Sequence, residues 1–396
     1  MPTPPGAESL AEELRRLEAA QLRRRRRLVS RAPGLSGAEV MVDGRRCVNF
    51  CSNDYLGLAR DPRLGEAMAR AARAWGAGSG AAHLVSGHTE EHHALEEELA
   101  AFVGMPRALL FSTGYMANLG VLCALAGRGD LLVEDRLNHA SLLDASRLSG
   151  ARVRRYAHAD SAAAERRMSG DWRRTLVVTD GVFSMDGDSA PLAALAETAR
   201  RTGAWLVVDD AHGLGVTGPG GRGSLAAAGL DPGAATALVG TLGKALGSFG
   251  AFVAGEEAVV ETLLQRARPY VYTTAPPPAV AAATRAGLAI AAREEWRRQR
   301  LFELTRRFRE AAAGLGLRLM ASDTAIQPVL TGEPGAALAA SEALFEAGLW
   351  VTAIRPPTVP AGRARLRITL SAAHEDAHLD RLLDVLAGLP ALRASA

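Results

Sequence analysis

The segment GTLGKALGSFG, residues 240–250, contains Lys244, the single lysine of a 396-residue chain in which lysine and arginine together number 46. Arginine serves wherever only a positive charge or a long stem is wanted. Its guanidinium stays protonated, however, and so cannot attack a carbonyl. A lone lysine is therefore either a relic of a biased composition or a position that needs an amine able to lose its proton. Its neighbours argue for the second reading. VVDDAHG, residues 207–213, puts Asp209 and His212 at the carboxyl tip of an apolar run. A carboxylate there often only caps the next turn. FSTGYMAN, residues 111–118, breaks from a strand-like run through Ser112, Thr113 and Gly114 into a helical one. Such a strand–turn–helix start points free backbone N–H groups outward, a ready cradle for a phosphate. Thr241 adds a hydroxyl just before the lysine.

A phosphate cradle, a strand-end carboxylate and an amine make up the set that pyridoxal phosphate requires. The phosphate anchors at the helix start, the carboxylate pairs with the ring nitrogen, and the lysine forms a Schiff base. Two other motifs compete. HTEEH, residues 88–92, matches H-x-x-E-H, with His88 and His92 as zinc ligands on a helix and Glu91 as base. No third ligand is evident, and such a pattern in a His/Glu-rich helix is more often a solvated face. GLGVTG, residues 213–218, fits the dinucleotide fingerprint, but Pro219-Gly220-Gly221 follows where a helix should open, and the later acidic residue is missing.

These groups must be held by surrounding elements. Short apolar runs at 108–111, 131–134, 175–179, 205–210 and 237–240 alternate with helical patterns. Such runs imply a mostly parallel sheet covered on both faces, whose ligands bind at the carboxyl ends of the strands. Ahead of them, residues 9–29 read as a charged helical arm, and EVMVDGRRCVNF turns at Asp43-Gly44 as a hairpin. The expected divisions are 1–45 for arm and hairpin, 46–285 for a large domain and 286–396 for a small one. The last contains strands in AIQPVL, WVTAIR and ARLRITL.

Composition sets bounds. With 48% hydrophobic residues the chain has ample core. A formal charge of +3 gives no reason to expect nucleic acid. Cys47, Cys51 and Cys123 fit neither a disulfide framework nor a zinc set, in keeping with a reducing cytoplasm. Neither a secretory h-region nor an apolar run of membrane-spanning length is visible.

The markers NFCSNDYLGL, DRLNHASLLDA, DGVFSMDGD, VDDAHGLG, TLGKALG and VTAIRPPTVPAGRARLRITLSAAH resemble, in order and over most of the chain, those of the α-oxoamine synthases. These are fold-type-I pyridoxal-phosphate enzymes that condense an amino acid with an acyl thioester and release CO2. The resemblance implies an α/β fold with a large domain, its mostly parallel seven-stranded sheet lying between helices, and a smaller C-terminal α+β domain. IRPPTVP and SAAH resemble the branch that joins L-alanine to a pimeloyl thioester in the biotin pathway. Glycine-using relatives share the aspartate, histidine and lysine.

Carried over by position, Gly114 and Tyr115 resemble the phosphate-binding pair and His139 the imidazole stacked on the ring. Ser184 and His212 resemble the groups beside the ring oxygen, and Asp209 the partner of the ring nitrogen. Thr241 resembles a phosphate contact, Lys244 the Schiff-base lysine and Arg367 the clamp on the amino-acid carboxylate. Asn53, Arg355 and Thr358 resemble acyl-side contacts, with Arg23 as the arm's substrate arginine. The resemblance also implies a cytoplasmic homodimer with no metal, served by coenzyme A or an acyl carrier protein. Catalytically silent paralogues lose the lysine that this chain keeps. The chain departs from the family pattern at Ala82-His83, where a small polar residue and arginine are frequent, and at Asp180, where a longer acid is. The run RRRRR, residues 23–27, is either a solvated segment or a dock for an acidic carrier.

Overall fold

The structure, a computed structural model, describes residues 7–389 and Leu392. Residues 1–6, which enter the reading that no secretory leader is present, lie outside the described residues. The chain divides into two compact units, one of Met1–Ser52, Met185–Gly187 and Leu301–Ala396, the other of Asn53–Ser184 and Asp188–Arg300.

The second unit is built on seven strands: β1 (Arg107–Phe111), β2 (Leu131–Asp135), β3 (Arg152–Tyr156), β4 (Thr175–Asp180), β5 (Trp205–Asp209), β6 (Ala237–Thr241) and β7 (Ala251–Gly255). They lie in the order β1-β7-β6-β5-β4-β2-β3. β7 runs antiparallel to both neighbours, whereas β6, β5, β4, β2 and β3 pair in parallel. Apart from β7, the strands therefore deliver their carboxyl ends to one edge. Every residue of β2 is buried, as a strand covered on both faces requires. The edge strand β3 is different, carrying Arg152, Arg154 and Arg155 and staying partly open to solvent, which blunts an edge against further pairing.

Helices α1 (Glu90–Val103), α2 (Gly114–Leu125) and α3 (Ala140–Leu148) serve the site. Leu109, Phe111, Ala117, Val121 and Leu122 share one buried cluster with Val207, Val239 and Val253, so α2 is seated on the sheet. Burial of each large apolar side chain contributes about 1.5–3 kcal/mol. The contact is close enough that a Cβ at Gly120 would stand 2.8 Å from the Phe111 ring, so glycine is required there.

The first unit is α+β. One sheet orders Val29–Ser30, Glu39–Val42, Arg45–Asn49 and Leu349–Trp350; the other orders Ile326–Gly332, Ala364–Thr369 and Thr352–Ile354. The hairpin turns where expected, with Asp43 and Gly44 at φ of 49° and 83°. The arm is a correction. Its helix spans only Ala7–Ala19, Gln21 turns left-handed at φ 57°, and residues 23–27 are not helical. Five adjacent arginines repel one another along a helix. Extended, they spread over several partners: Arg23 and Arg25 share Glu18 at 3.3 and 2.8 Å, and Arg27 pairs with Glu342 at 2.8 Å and lies 3.8 Å above the Phe345 ring.

Candidate active site

At the shared strand edge of the second unit, a cavity of ≈180 Å³ is lined by Gly114, Tyr115, His139, Asp209, His212, Thr241 and Lys244, with Ser141, Asp180 and Ala211. Of the residues expected around a cofactor, all but Ser184 line it. Asn53, expected on the acyl side, does not line it either; its Oδ1 lies 3.4 Å from the Tyr55 hydroxyl.

Local structure explains each placement. Asp209 is the last residue of β5 and Thr241 the last of β6, so both side chains stand at the carboxyl edge. His212 and Lys244 occupy the turns that follow. Thr113 caps α2 by accepting from the Met116 N–H at 3.2 Å, which leaves the N–H groups of Gly114 and Tyr115 without intrahelical acceptors. His139 caps α3, its Nδ1 accepting from the Ser141 N–H at 3.3 Å. His139 thus caps a helix and lines the cavity at once. Thr241 likewise closes a turn, its hydroxyl donating to the Gly250 carbonyl at 3.2 Å.

A buried network joins these groups. Asn118 donates to Asp209 Oδ2 at 2.6 Å and lies 2.8 Å from Ser141 Oγ, which in turn lies 2.7 Å from His139 Nδ1. Asp209 Oδ1 accepts from the Ala211 N–H at 3.0 Å. On the other side, Tyr55 OH lies 2.6 Å from His212 Nδ1, and His212 Nε2 lies 2.9 Å from Lys244 Nζ. Tyr55 is 1% exposed. Sequence reading named neither Asn118 nor Tyr55. Asn118, a polar residue inside an otherwise apolar helical run, carried a faint signal.

Burial sets the electrostatics. It pulls the His139 imidazole below its ordinary range despite the Asp209 charge, so the ring is neutral near pH 7. Burial, reinforced by the Asp209 charge, raises Asp180 well above the usual carboxylate range. The Asp180 carboxylate accepts from the His139 N–H at 2.7 Å. Burial likewise raises Asp210 to about 7, against its hydrogen bonds from Ser224. At the tip of β2, His158 lies 3.0 Å from Asp135 and 2.7 Å from Asp188. Burial opposes its charge, but the two carboxylates prevail and lift it to about 10.

The remaining expected residues belong to the first unit. Arg23, Arg25, Arg26, Arg27 and Arg355 line a cavity of ≈790 Å³ there. Arg24 donates to Thr358 Oγ1 at 3.0 Å, and Arg355 to the Gln21 carbonyl. Arg367, on the strand Ala364–Thr369, is 6% exposed and donates to Thr369 Oγ1 at 2.8 Å. It is not a surface strand residue.

The zinc pair does not assemble as the motif implies. His88 precedes α1 rather than sitting on it, and Glu91 is bound to Arg285 at 2.7 Å. Both ring nitrogens of His92 are engaged, Nδ1 by Thr89 and Nε2 by the Pro276 carbonyl at 2.7 Å. GLGVTG forms turns and opens no α-helix, as expected.

Comparison with known proteins gives the family. The family described as aminotransferase class I and II matches residues 45–386. An 8-amino-7-oxononanoate synthase of Nitrosococcus oceani is 60% identical over 375 residues, covering 94% of this chain and 99% of that protein. Among solved structures, the Sphingomonas wittichii serine palmitoyltransferase superimposes with a TM-score of 0.91 at 32% identity, over 98% of each chain. Another, a structure of "SPT" with pyridoxal phosphate as its internal aldimine, gives 0.90 at 30% identity over 96% of each chain. The expected fold-type-I architecture is therefore the one present. The chain belongs to the aminotransferase class I and II family and, within it, to the 8-amino-7-oxononanoate synthases.

Proposed function

We propose that this chain uses pyridoxal phosphate to condense L-alanine with a pimeloyl thioester, releasing CO2 and the free thiol and yielding 8-amino-7-oxononanoate for biotin synthesis. The observation that carries the reading is the meeting of Lys244, Asp209, His212 and His139 in one cavity, in a chain 60% identical to a protein of that name. The donor set fits the cofactor. A Cβ at Gly114 would meet nothing within 4 Å, so the helix start opens onto space in which a phosphate can receive its N–H groups. When bound, pyridoxal phosphate supplies an electron sink for a carbanion at the amino-acid Cα.

The chain's own groups do the rest. Lys244 provides the attachment amine and, once freed, the base that takes the Cα proton. Tyr55, hydrogen-bonded to His212 Nδ1, fixes the orientation and tautomer of that ring, whose Nε2 faces the amine. Asp209, oriented by Asn118 and the Ala211 N–H, holds a proton on the ring nitrogen. His139 presents a neutral imidazole to the ring face, with its Nδ1 committed to Ser141. Thr241 completes the cofactor contacts from the cavity wall, with Ser184 outside it. Arg367 clamps the alanine carboxylate with two parallel hydrogen bonds. Asn53, Arg355, Thr358 and Arg23 contact the acyl side, and the arginine-lined cavity receives coenzyme A phosphates or an acidic carrier protein. The enzyme works as a cytoplasmic homodimer.

A substrate panel tests this. Alanine, glycine and serine are offered with pimeloyl and acetyl thioesters while CO2 and thiol are measured. Alanine with the pimeloyl thioester is expected to be preferred, and equal turnover of glycine with acetyl-CoA refutes the assignment. Sedimentation tests the dimer.

A further inference from the structure

His92 is excluded as a ligand, yet the histidines beside it lie in a different relation to one another. One ligand atom from each of His88, His93 and Glu96 falls within 4.8 Å of the others, His88 Nε2 standing 4.0 Å from Glu96 Oε2. We propose that these three side chains bind a divalent cation of the zinc–nickel class and thereby fasten residues 83–88 to α1. The site is independent of the reaction proposed above.

Three features make it more than a chance surface cluster. His93 and Glu96 are three residues apart on α1, so they share a face. Glu96 Oε1 accepts from the Leu110 N–H at 2.9 Å, which orients the carboxylate and leaves Oε2 toward His88. His88 Nδ1 lies 3.0 Å from His83 Nδ1, and His83, 7% exposed, is stacked on Tyr270 at 5.0 Å with the rings 10° from parallel. Coordination at His88 Nε2 places the ring proton on Nδ1, where His83 accepts it. Metal-bound histidines characteristically have such an outer acceptor, which fixes ring orientation.

The same residues line a cavity of ≈240 Å³ that gives an ion access. Ligand atoms about 2.1 Å from a tetrahedral ion stand roughly 3.4 Å apart, so from separations of at most 4.8 Å the side chains need to close by no more than about 1.4 Å. Two imidazoles and one carboxylate suit borderline cations rather than magnesium or calcium, with water in the fourth position.

The experiment uses tag-free full-length holoenzyme, stripped with a chelator and titrated with ZnCl2 and, separately, NiCl2. Bound metal is counted after desalting and affinity measured calorimetrically. One ion per chain is expected. The His93→Ala and Glu96→Gln variants should each bind at least 30-fold more weakly. His93 is largely exposed, so its truncation leaves the core intact. His83→Phe keeps an aromatic ring against Tyr270 but removes the outer acceptor, and should weaken binding about 10-fold. Wild-type protein that retains no ion overturns the proposal. So does a His93→Ala/Glu96→Gln double variant that binds as tightly as wild type, because the ion then sits elsewhere.

Discussion

The cavity around Lys244 and the arginine-lined cavity are constructed in opposite ways. In the second unit, the buried side chains of Asp209, Asn118 and Ser141 form a chain in which each orients the next and which ends at the more exposed His139. In the first unit, arginines pair with Glu18, Asp43 and Glu342 at positions open to solvent. A buried polar group left without its partner costs about 1–3 kcal/mol, whereas an exposed ion pair contributes only ~0–1 kcal/mol. The first cavity is suited to exact chemistry and the second to attraction of a charged partner, and substitutions should divide accordingly.

The largest effect belongs to Lys244→Arg. It keeps a cation but removes the chain's only ε-amine, so condensation should fall at least ~10³-fold while the fold persists. Borohydride reduction of wild-type holoenzyme should leave the cofactor on the peptide bearing TLGKALG. An active arginine variant, or label confined to the N-terminus, removes Lys244 from its role.

Next is His158→Gln, a test of how strongly buried pairing counts. The folded His158 titrates near 10, above its usual value of about 6.5. A raised pKa stabilises fully below about pH 6.5, and the benefit is lost as pH climbs through 10. The variant should therefore be about 2–3 kcal/mol less stable than wild type at pH 6, with the gap narrowing by pH 10.5. A gap that does not vary with pH, followed by denaturant unfolding, contradicts the assignment.

Tyr55→Phe removes one hydroxyl and leaves the ring in place. We expect kcat to drop about 10-fold with KM little changed, because only the tautomer of His212 is released. In cofactor-free protein, the pH dependence of Lys244 acylation, read by mass spectrometry, should shift as well. An unaltered labelling profile means that Tyr55 only packs. The smallest effect is expected from Arg25→Glu with Arg26→Glu, which should raise KM for the acyl carrier about 3-fold at low salt and flatten its salt dependence. A loss as large as that of Tyr55→Phe means that the arm is part of the chemistry, and the contrast between the two cavities fails.

Much of the second unit was legible from its residues because its signals are local. Five of the apolar runs became β1, β2, β4, β5 and β6, and the turns after Asp209 and Thr241 placed His212 and Lys244 as read. β3 escaped notice because RVRRY is a charged edge strand without an apolar run. WVTAIR was read as one strand and is two, Leu349–Trp350 and Thr352–Ile354, which pair in different sheets. Tyr55 could not be read, since its partner His212 is 157 residues away and no spacing rule links them. The arm failed for another reason: helix propensity favours arginine residue by residue, but like-charge repulsion acts over the whole run.

The pairing of Val48 with Leu349, through which the N-terminal sheet gains its fourth strand, has a consequence for how the protein is made. About 300 residues separate the partners, so at ribosomal rates the hairpin waits roughly 15 to 60 s for the strand that completes its sheet. The sheet β1–β7 lies wholly between them in the chain and has all its strands by Gly255. Synthesis therefore favours the second unit folding first, around a cavity that already holds Lys244, while the segment translated earliest is among the last to find its place.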